Sequence, residues 1–354
     1  MITLGVDAHK EVHMAVALDE NGRELSQWRG PNTQRGWEQV YRWACKLGEA
    51  RQWGIEGAWG YGRRLAQYLV GRGDVVYEIN SRWTAMSRRK ARKLGKTDKL
   101  DARAVAVCVM RETGTLPQIS QEDITTVLNL LSIEREAALA EATRLRNQIH
   151  AVLPQIDPEY RLHLPNMQTQ AGLLALERYD SPDSNSIACH RAATIRRLAR
   201  RLRLVLEQSE DIAHEIEQLA STYFLPLTRL CGINLLTAGA LAGILGPGRR
   251  FASDAQLAAY AGVAPIEASS AGLVRHRLHR GGNRRLNAIL YRIAITQARH
   301  LPEARCYLLR RTSEGKTRRE AFRALKRYIV RAIWQLWQEC LDYQTHSLTD
   351  NRAA

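Results

Sequence analysis

The chain has six cysteines (Cys45, Cys108, Cys189, Cys231, Cys306 and Cys340) and no Cys-x-x-Cys pair among them. That spacing excludes the usual zinc sites and disulfide frameworks and fits a reducing, cytoplasmic setting. Also missing is any apolar run approaching the ~20 residues of a membrane span, and no secretory signal pattern opens the chain, so no membrane partner is expected. Acidic residues are in short supply: 36 Asp+Glu against 52 Lys+Arg leave a formal charge of +16. The excess is spread through patterned segments, which excludes a chromatin-like tail and points to a polyanionic partner. At 354 residues the chain can form about two or three domains with cores of their own.

Among the scarce acids, four stand out. Asp7 ends the apolar run Ile2-Thr3-Leu4-Gly5-Val6, and Glu56 ends Trp53-Gly54-Ile55. Asp98 and Asp101 lie three apart in Lys96-Thr97-Asp98-Lys99-Leu100-Asp101-Ala102-Arg103, so a helix there places both on one face. Hard divalent cations take oxygen ligands, and carboxylates at strand ends facing a carboxylate pair on a helix can hold Mg²⁺ against a phosphodiester. Each acid also has a plainer reading: Asp7 as a turn residue, Glu56 as a solvated strand end, Asp98 as an N-cap with Asp101 at N3. His9 and His13 flank the first site and read as solvated or hairpin residues rather than ligands, because oxygen suits Mg²⁺.

Strands are expected over 2–7, 12–18 and about 23–28, with the turn Asp19-Glu20-Asn21-Gly22 between the last two. A helix over about 33–48, the Glu56 strand, a helix to about Val70 and a strand over 75–79 follow. Three antiparallel strands and then αβαβ is the ribonuclease-H-like order. A basic stretch, including Arg88, Arg89, Lys90, Arg92 and Lys93, leads into the Asp98 pair. It reads as a phosphate-tracking arm, the alternative being a solvated helix face. Long helices over about 123–153 and 190–221 carry apolar residues at heptad spacing and read as an antiparallel coiled-coil arm. Arg196, Arg197 and Arg200 on the second make either a phosphate-contacting face or plain solvated charge.

Cys231 to Ala240 looks like the glycine turn of a helix-hairpin-helix unit, which offers backbone N–H groups to phosphates. Ser269 and Ser270 sit in a small-residue loop beside Arg275, Arg277, Arg280, Arg284 and Arg285. A nucleophilic hydroxyl needs nearby cations or a base; a flexible Ser/Gly turn is the plainer alternative. Helices near 286–299, 303–311 and 317–342 close the domain, and residues after about 344 read as a frayed tail.

Gly5-Val6-Asp7-Ala8-His9-Lys10, Ile55-Glu56-Gly57, the Lys96–Arg103 string, Leu257-Ala258-Ala259-Tyr260-Ala261-Gly262, Pro265, Ser269-Ser270 and Gly281-Gly282-Asn283 together resemble the DEDD transposases of the insertion-sequence-110 family. The resemblance spans nearly the whole chain. It implies an α/β ribonuclease-H-like (RuvC-like) catalytic domain over 1–118, a coiled-coil arm over 119–225, a mostly α-helical transposase domain over 226–344 and a tail over 345–354. It implies Asp7, Glu56, Asp98 and Asp101 as ligands for Mg²⁺ (or Mn²⁺), and Ser270 as the nucleophile, with Ser269 the alternative. The implied activity is strand exchange through a phosphoserine link. The implied partners are donor and target DNA, a structured non-coding RNA from the element, and further copies of the chain in a dimer or tetramer with composite active sites. Two motifs depart from the family pattern: Glu56-Gly57-Ala58-Trp59-Gly60 stands for Glu-Ala-Thr-Gly, and Ser269-Ser270-Ala271-Gly272 for Ser-Ser-Gly-Gly. A resolvase-like structure-specific endonuclease, needing the carboxylates but no serine, and a non-catalytic nucleic-acid-binding protein are the competing readings.

Overall fold

The structure, a computed structural model, describes residues 1–79, 97–114, 116–181, 185–264, 266–267, 276–277 and 281–353. They form two compact units: Met1–Thr126 with Leu245–Ala354, and Val127–Ile244.

The first unit is built on a mixed five-stranded sheet of order β3-β2-β1-β4-β5. Its strands are β1 (Ile2–Ala8), β2 (Val12–Leu18), β3 (Glu24–Pro31), β4 (Arg51–Glu56) and β5 (Val75–Ile79). β1, β2 and β3 pair antiparallel, while β4 runs parallel to both β1 and β5. This accords with the ribonuclease-H-like order expected. The β2–β3 turn forms because the Asp19 carboxylate accepts from the Asn21 and Arg23 amides at 2.9 and 2.8 Å.

β1 and β4 are apolar on both faces because both faces are covered. Leu4, Val6, Ala15, Ala17, Trp53 and Ile55 meet helices α1 (Gln34–Leu47) and α2 (Arg63–Val70) on one side. Each large apolar side chain fully buried there contributes roughly 1.5–3 kcal/mol. Helix α3 (Asp98–Glu112) lies on the other side, with Ala102 and Ala106 against Met14, Val16 and Leu18, and Val105 and Val109 against Ile79. Gly5 makes this seat possible, since a Cβ there would overlap the Ala102 carbonyl oxygen and the Ala106 nitrogen. Gly54 on β4 likewise leaves room for Val109.

His13 is a hairpin residue, paired with Ala8, but it is not solvated: its exposure is 0%. Burial pushes its imidazole below the ordinary histidine range. The unfolded chain therefore takes up the proton more readily. His13 supports the fold fully above about pH 6.5, and that support is lost as the pH falls toward the folded value. Thermal melts between about pH 7.5 and 5 are expected to show acid destabilisation that is reduced in His13→Leu.

Besides a short antiparallel pair, Ile266–Glu267 with His276–Arg277, the first unit adds the helices α9 (Asp254–Tyr260), α10 (Arg284–His300), α11 (Pro302–Ser313) and α12 (Arg318–Ala353), which runs past the point near 342 where the sequence reading ends it. Arg250 joins these helices to the sheet. It is 7% exposed, pairs with Glu78 on β5, and its guanidinium lies 4.7–5.6 Å from the ring centroids of Tyr260, Phe251 and Trp59.

The second unit takes in most of α4 (Ile124–Val152), then α5 (Tyr160–His163), α6 (Gln170–Glu177), α7 (Ser186–Tyr223) and most of α8 (Leu235–Leu245). Ala142, Leu145 and Ile149 of α4 share a core with Ile195, Ala199 and Leu202 of α7. Arg201 pairs with Glu141 at 3.4 Å, while Leu128 and Ile216 both stand against Gly239, so α4 and α7 run antiparallel. Ser209, the one polar slot in the apolar spacing of α7, is buried at 4% exposure. Among the described residues no helix is long and apolar enough to cross a membrane.

Candidate metal centre and nucleic-acid surfaces

Asp7 and Glu56 are register partners across the parallel β1–β4 pair. Each lies two residues beyond a glycine that faces α3, so strand alternation directs both carboxylates toward α3. The helix starts where it does because Thr97, not Asp98, is the N-cap: its hydroxyl accepts from the Leu100 amide at 3.3 Å. Asp98 and Asp101 therefore fall in the first turn, where the helix dipole favours negative charge. Lys99 pairs with Glu24 at 2.7 Å and Arg103 donates to the Gly22 carbonyl at 3.1 Å, tying that turn to the β2–β3 hairpin.

The result is a compact acidic cluster. Asp7 and Asp101 are buried, at 8% and 4% exposure. One ligand atom each from Asp7, His9 and Asp98 lies within 4.8 Å of the other two. His9 Nε2 is 3.1 Å from Asp7 Oδ2 and 3.7 Å from Asp98 Oδ1. His9 is thus the residue that sequence reasoning set aside and the structure turns toward the site; a lone histidine in a tight turn gives no periodic signal. Burial pushes the Asp7 carboxyl above its ordinary value, His9 pulls it back, and the charges of Asp101 and Asp98 push it up again. A buried carboxylate crowded by like charges is a place where a cation relieves repulsion, and oxygen donors with one imidazole fit a divalent metal.

Asn32 holds the rim. Its side-chain amide donates to the Lys10 and Tyr61 carbonyls at 3.2 and 3.1 Å, and its oxygen accepts from Trp37 Nε1 at 2.9 Å. It joins the loop after β1 to the loop after β4, the two strands that end in acids. Nothing in the local sequence marks it, because its partners lie 22 and 29 residues away.

The expected nucleic-acid contacts divide. Arg196 bonds the Tyr179 carbonyl at 2.8 Å and Asp180 at 2.6 Å, whereas Arg197 and Arg200 are exposed. Arg284 is exposed and Arg285 half-buried. Arg88, Arg89, Lys90, Arg92, Lys93, Ser269, Ser270, Arg275 and Arg280 lie outside the described residues, as does the side chain of Arg277. At the expected hairpin, Gly232 takes φ +94°, but a short 3₁₀ turn (Leu225–Arg229) precedes it, and Asn234 Oδ1 accepts the Thr237 amide at 2.9 Å. The first N–H groups of α8 are thus partly capped from within.

A mixed sheet whose paired strand ends carry acids facing an acidic helix turn defines a class of proteins built to act on phosphodiesters in nucleic acid. Known families agree. Residues 4–158 match a family model described as "Transposase", of the DEDD type, and residues 226–308 match the "Transposase IS116/IS110/IS902 family". The chain is 29% identical to the uncharacterized 43.6 kDa protein of insertion element IS110 from Streptomyces coelicolor, over 71% of this chain and 72% of that protein. It is 25% identical to the uncharacterized 42 kDa protein of IS900 from Mycobacterium paratuberculosis, over 99% and 98%. It is 26% identical to the transposase for insertion sequence element IS1328 from Yersinia enterocolitica, over 51% and 52%. The chain belongs to the IS110 family of transposases, enzymes that cleave and rejoin DNA.

Proposed function

We propose that the chain moves an insertion element by cutting and rejoining DNA through a phosphoserine intermediate formed on Ser270. Asp7, Glu56, Asp98 and Asp101, with His9 beside them, hold Mg²⁺ or Mn²⁺. The observation that carries this reading is the meeting of Asp7 with Asp98 and His9 beside buried Asp101. A divalent ion bound there supplies Lewis-acid stabilisation of the phosphodiester. The serine oxygen replaces one sugar oxygen on phosphorus, and its proton leaves with the departing sugar hydroxyl. The reverse displacement by a second strand rejoins the DNA and frees the serine. The antiparallel pair α4 and α7 serves as a coiled-coil arm that brings copies of the chain together. The element's own structured RNA selects donor and target DNA, and the basic segments flanking Asp98 and following Ser270 hold their phosphates.

The test is denaturing capture: protein, Mg²⁺, the element's end sequence and its adjoining transcript are incubated and then denatured. A covalent protein–DNA adduct is expected, absent in Ser270→Ala while nucleic-acid binding persists. Adduct of normal yield in Ser270→Ala moves the nucleophile elsewhere, to Ser269 first. Cleaved DNA without any adduct replaces this mechanism with hydrolysis by a resolvase-like endonuclease.

A further inference from the structure

The first unit holds a cavity of about 830 Å³ walled by α10, α12 and the glycine segment around Gly262 and Gly282. Its size is that of a small-ligand site. Among the described residues five cationic side chains line it, Arg284, Arg318, Arg319, Arg323 and Lys326, and no carboxylate does. Arg323 has a loose contact with Glu320 at 3.8 Å, outside the lining. Two aromatic rings share the wall: Tyr291, half-exposed, and Phe322, with ring centroids 5.9 Å apart.

The deep end is polar and ordered. Lys326 is only 7% exposed; its ammonium donates to Asn287 Oδ1 at 2.8 Å and sits 6.0 Å from the Tyr291 ring centroid. Asn287 is fixed in turn by donating to the Ala261 carbonyl at 2.8 Å. Burial, and then the Arg323 charge, push the Lys326 amine below its ordinary value. A buried ammonium beside further cations gains most from an anion. Arg284 and Arg318 open α10 and α12, so two helix N-termini add their partial positive charge. Gly282 must lack a side chain here, because a Cβ on it would overlap the Gly262 backbone.

We propose that this cavity binds an unstacked nucleotide of a single strand, its phosphate held by Arg318, Arg319 and Lys326 and its base laid on Tyr291. Charge alone would fit any polyanion, but the aromatic wall selects. A duplex keeps its bases stacked inside a convex surface and offers a cavity only phosphate. A single-stranded or extruded nucleotide offers phosphate and π-face together. None of Asp7, Glu56, Asp98 and Asp101 lines the site. It rests on the chain acting on nucleic acid, not on the phosphoserine mechanism.

The experiment measures fluorescence anisotropy of the full chain, without divalent metal, against three probes: a short single-stranded oligodeoxynucleotide, the oligoribonucleotide of the same sequence, and a blunt duplex. Tyr291→Leu and the Arg318→Ala/Arg319→Ala pair are each expected to weaken single-strand binding about tenfold, leaving duplex affinity within about twofold. Tyr291→Phe is expected to bind as wild type. Loss on the DNA probe alone or the RNA probe alone names the strand that enters. Unchanged single-strand affinity in both variants overturns the proposal, as does an equal loss on the duplex, which would make these side chains part of a general basic surface. Melting curves matched to wild type exclude unfolding. Failure of the phosphoserine reading would appear in the capture assay with Ser270→Ala and would leave these binding ratios untouched.

Discussion

Asp101→Asn is expected to lower DNA cleavage by roughly a thousandfold, the scale of several kcal/mol of metal-derived transition-state stabilisation. The substitution is nearly isosteric at a site only 4% exposed in the first turn of α3, so the fold is retained. What changes is charge. Asp101 raises the Asp7 carboxyl through repulsion, on top of the larger effect of burial, and a cation held between them is the natural counter-charge. Without metal, the raised Asp7 value means that its support of the fold is complete only at low pH and is lost as the pH rises through that value. With the Asp101 charge removed, that loss should be smaller. Three readings therefore separate a metal-site role from a structural one. Cleavage falls, the rise in melting temperature on adding Mg²⁺ shrinks, and the metal-free pH profile flattens on its alkaline side. Full cleavage at ordinary Mg²⁺ would remove Asp101 from the site.

The second large effect concerns Arg250. Arg250→Ala is expected to destabilise the first unit by about 3–5 kcal/mol, the usual consequence of removing one member of a buried ion pair. In melting temperature this is on the order of 10 °C for a unit of this size. The guanidinium is 7% exposed, pairs with Glu78 and lies among Trp59, Phe251 and Tyr260, so truncation strips Glu78 of a partner and leaves a void between three rings. Arg250→Lys should recover little, since an ammonium cannot stack flat on aromatic faces while reaching the carboxylate. Arg250→Met with Glu78→Leu should recover more than lysine does, because it removes both charges together. Melts of the four proteins check the order. Lysine matching wild type would show that charge alone matters there.

The strands and their acids could be read from the chain because a short continuous apolar run ending in Asp or Glu is a local pattern. Asp7 and Glu56 needed only the apolar runs before them, and the helix of Asp98 and Asp101 only its capping threonine and small residues. Other features depend on distant partners. Arg196 looks like a phosphate contact until Asp180 and the Tyr179 carbonyl are found beside it. His13 sits in a turn-flanking position yet is fully enclosed, in the middle strand of the antiparallel trio with Ala8 on one side and Gly30 on the other. Arg250 resembles any other arginine of a basic chain until Glu78, 172 residues earlier, closes on it. Lys326 is likewise one cation of a basic helix by sequence, and one wall of a cavity by structure.

The joining of Leu245–Ala354 to Met1–Thr126 also bears on biosynthesis. The catalytic sheet leaves the ribosome early, but Arg250, which covers Glu78 and Trp59, follows only after the intervening unit of residues 127–244 has been made. At typical translation speeds that interval lasts on the order of ten seconds. During it the sheet edge waits for a late-arriving clamp, so a nascent chain stopped within the second unit would carry every acid of the proposed metal centre on an unfinished body. Synthesis past Arg250, rather than appearance of the acids, is then the event that completes the packing around Glu78 and Trp59.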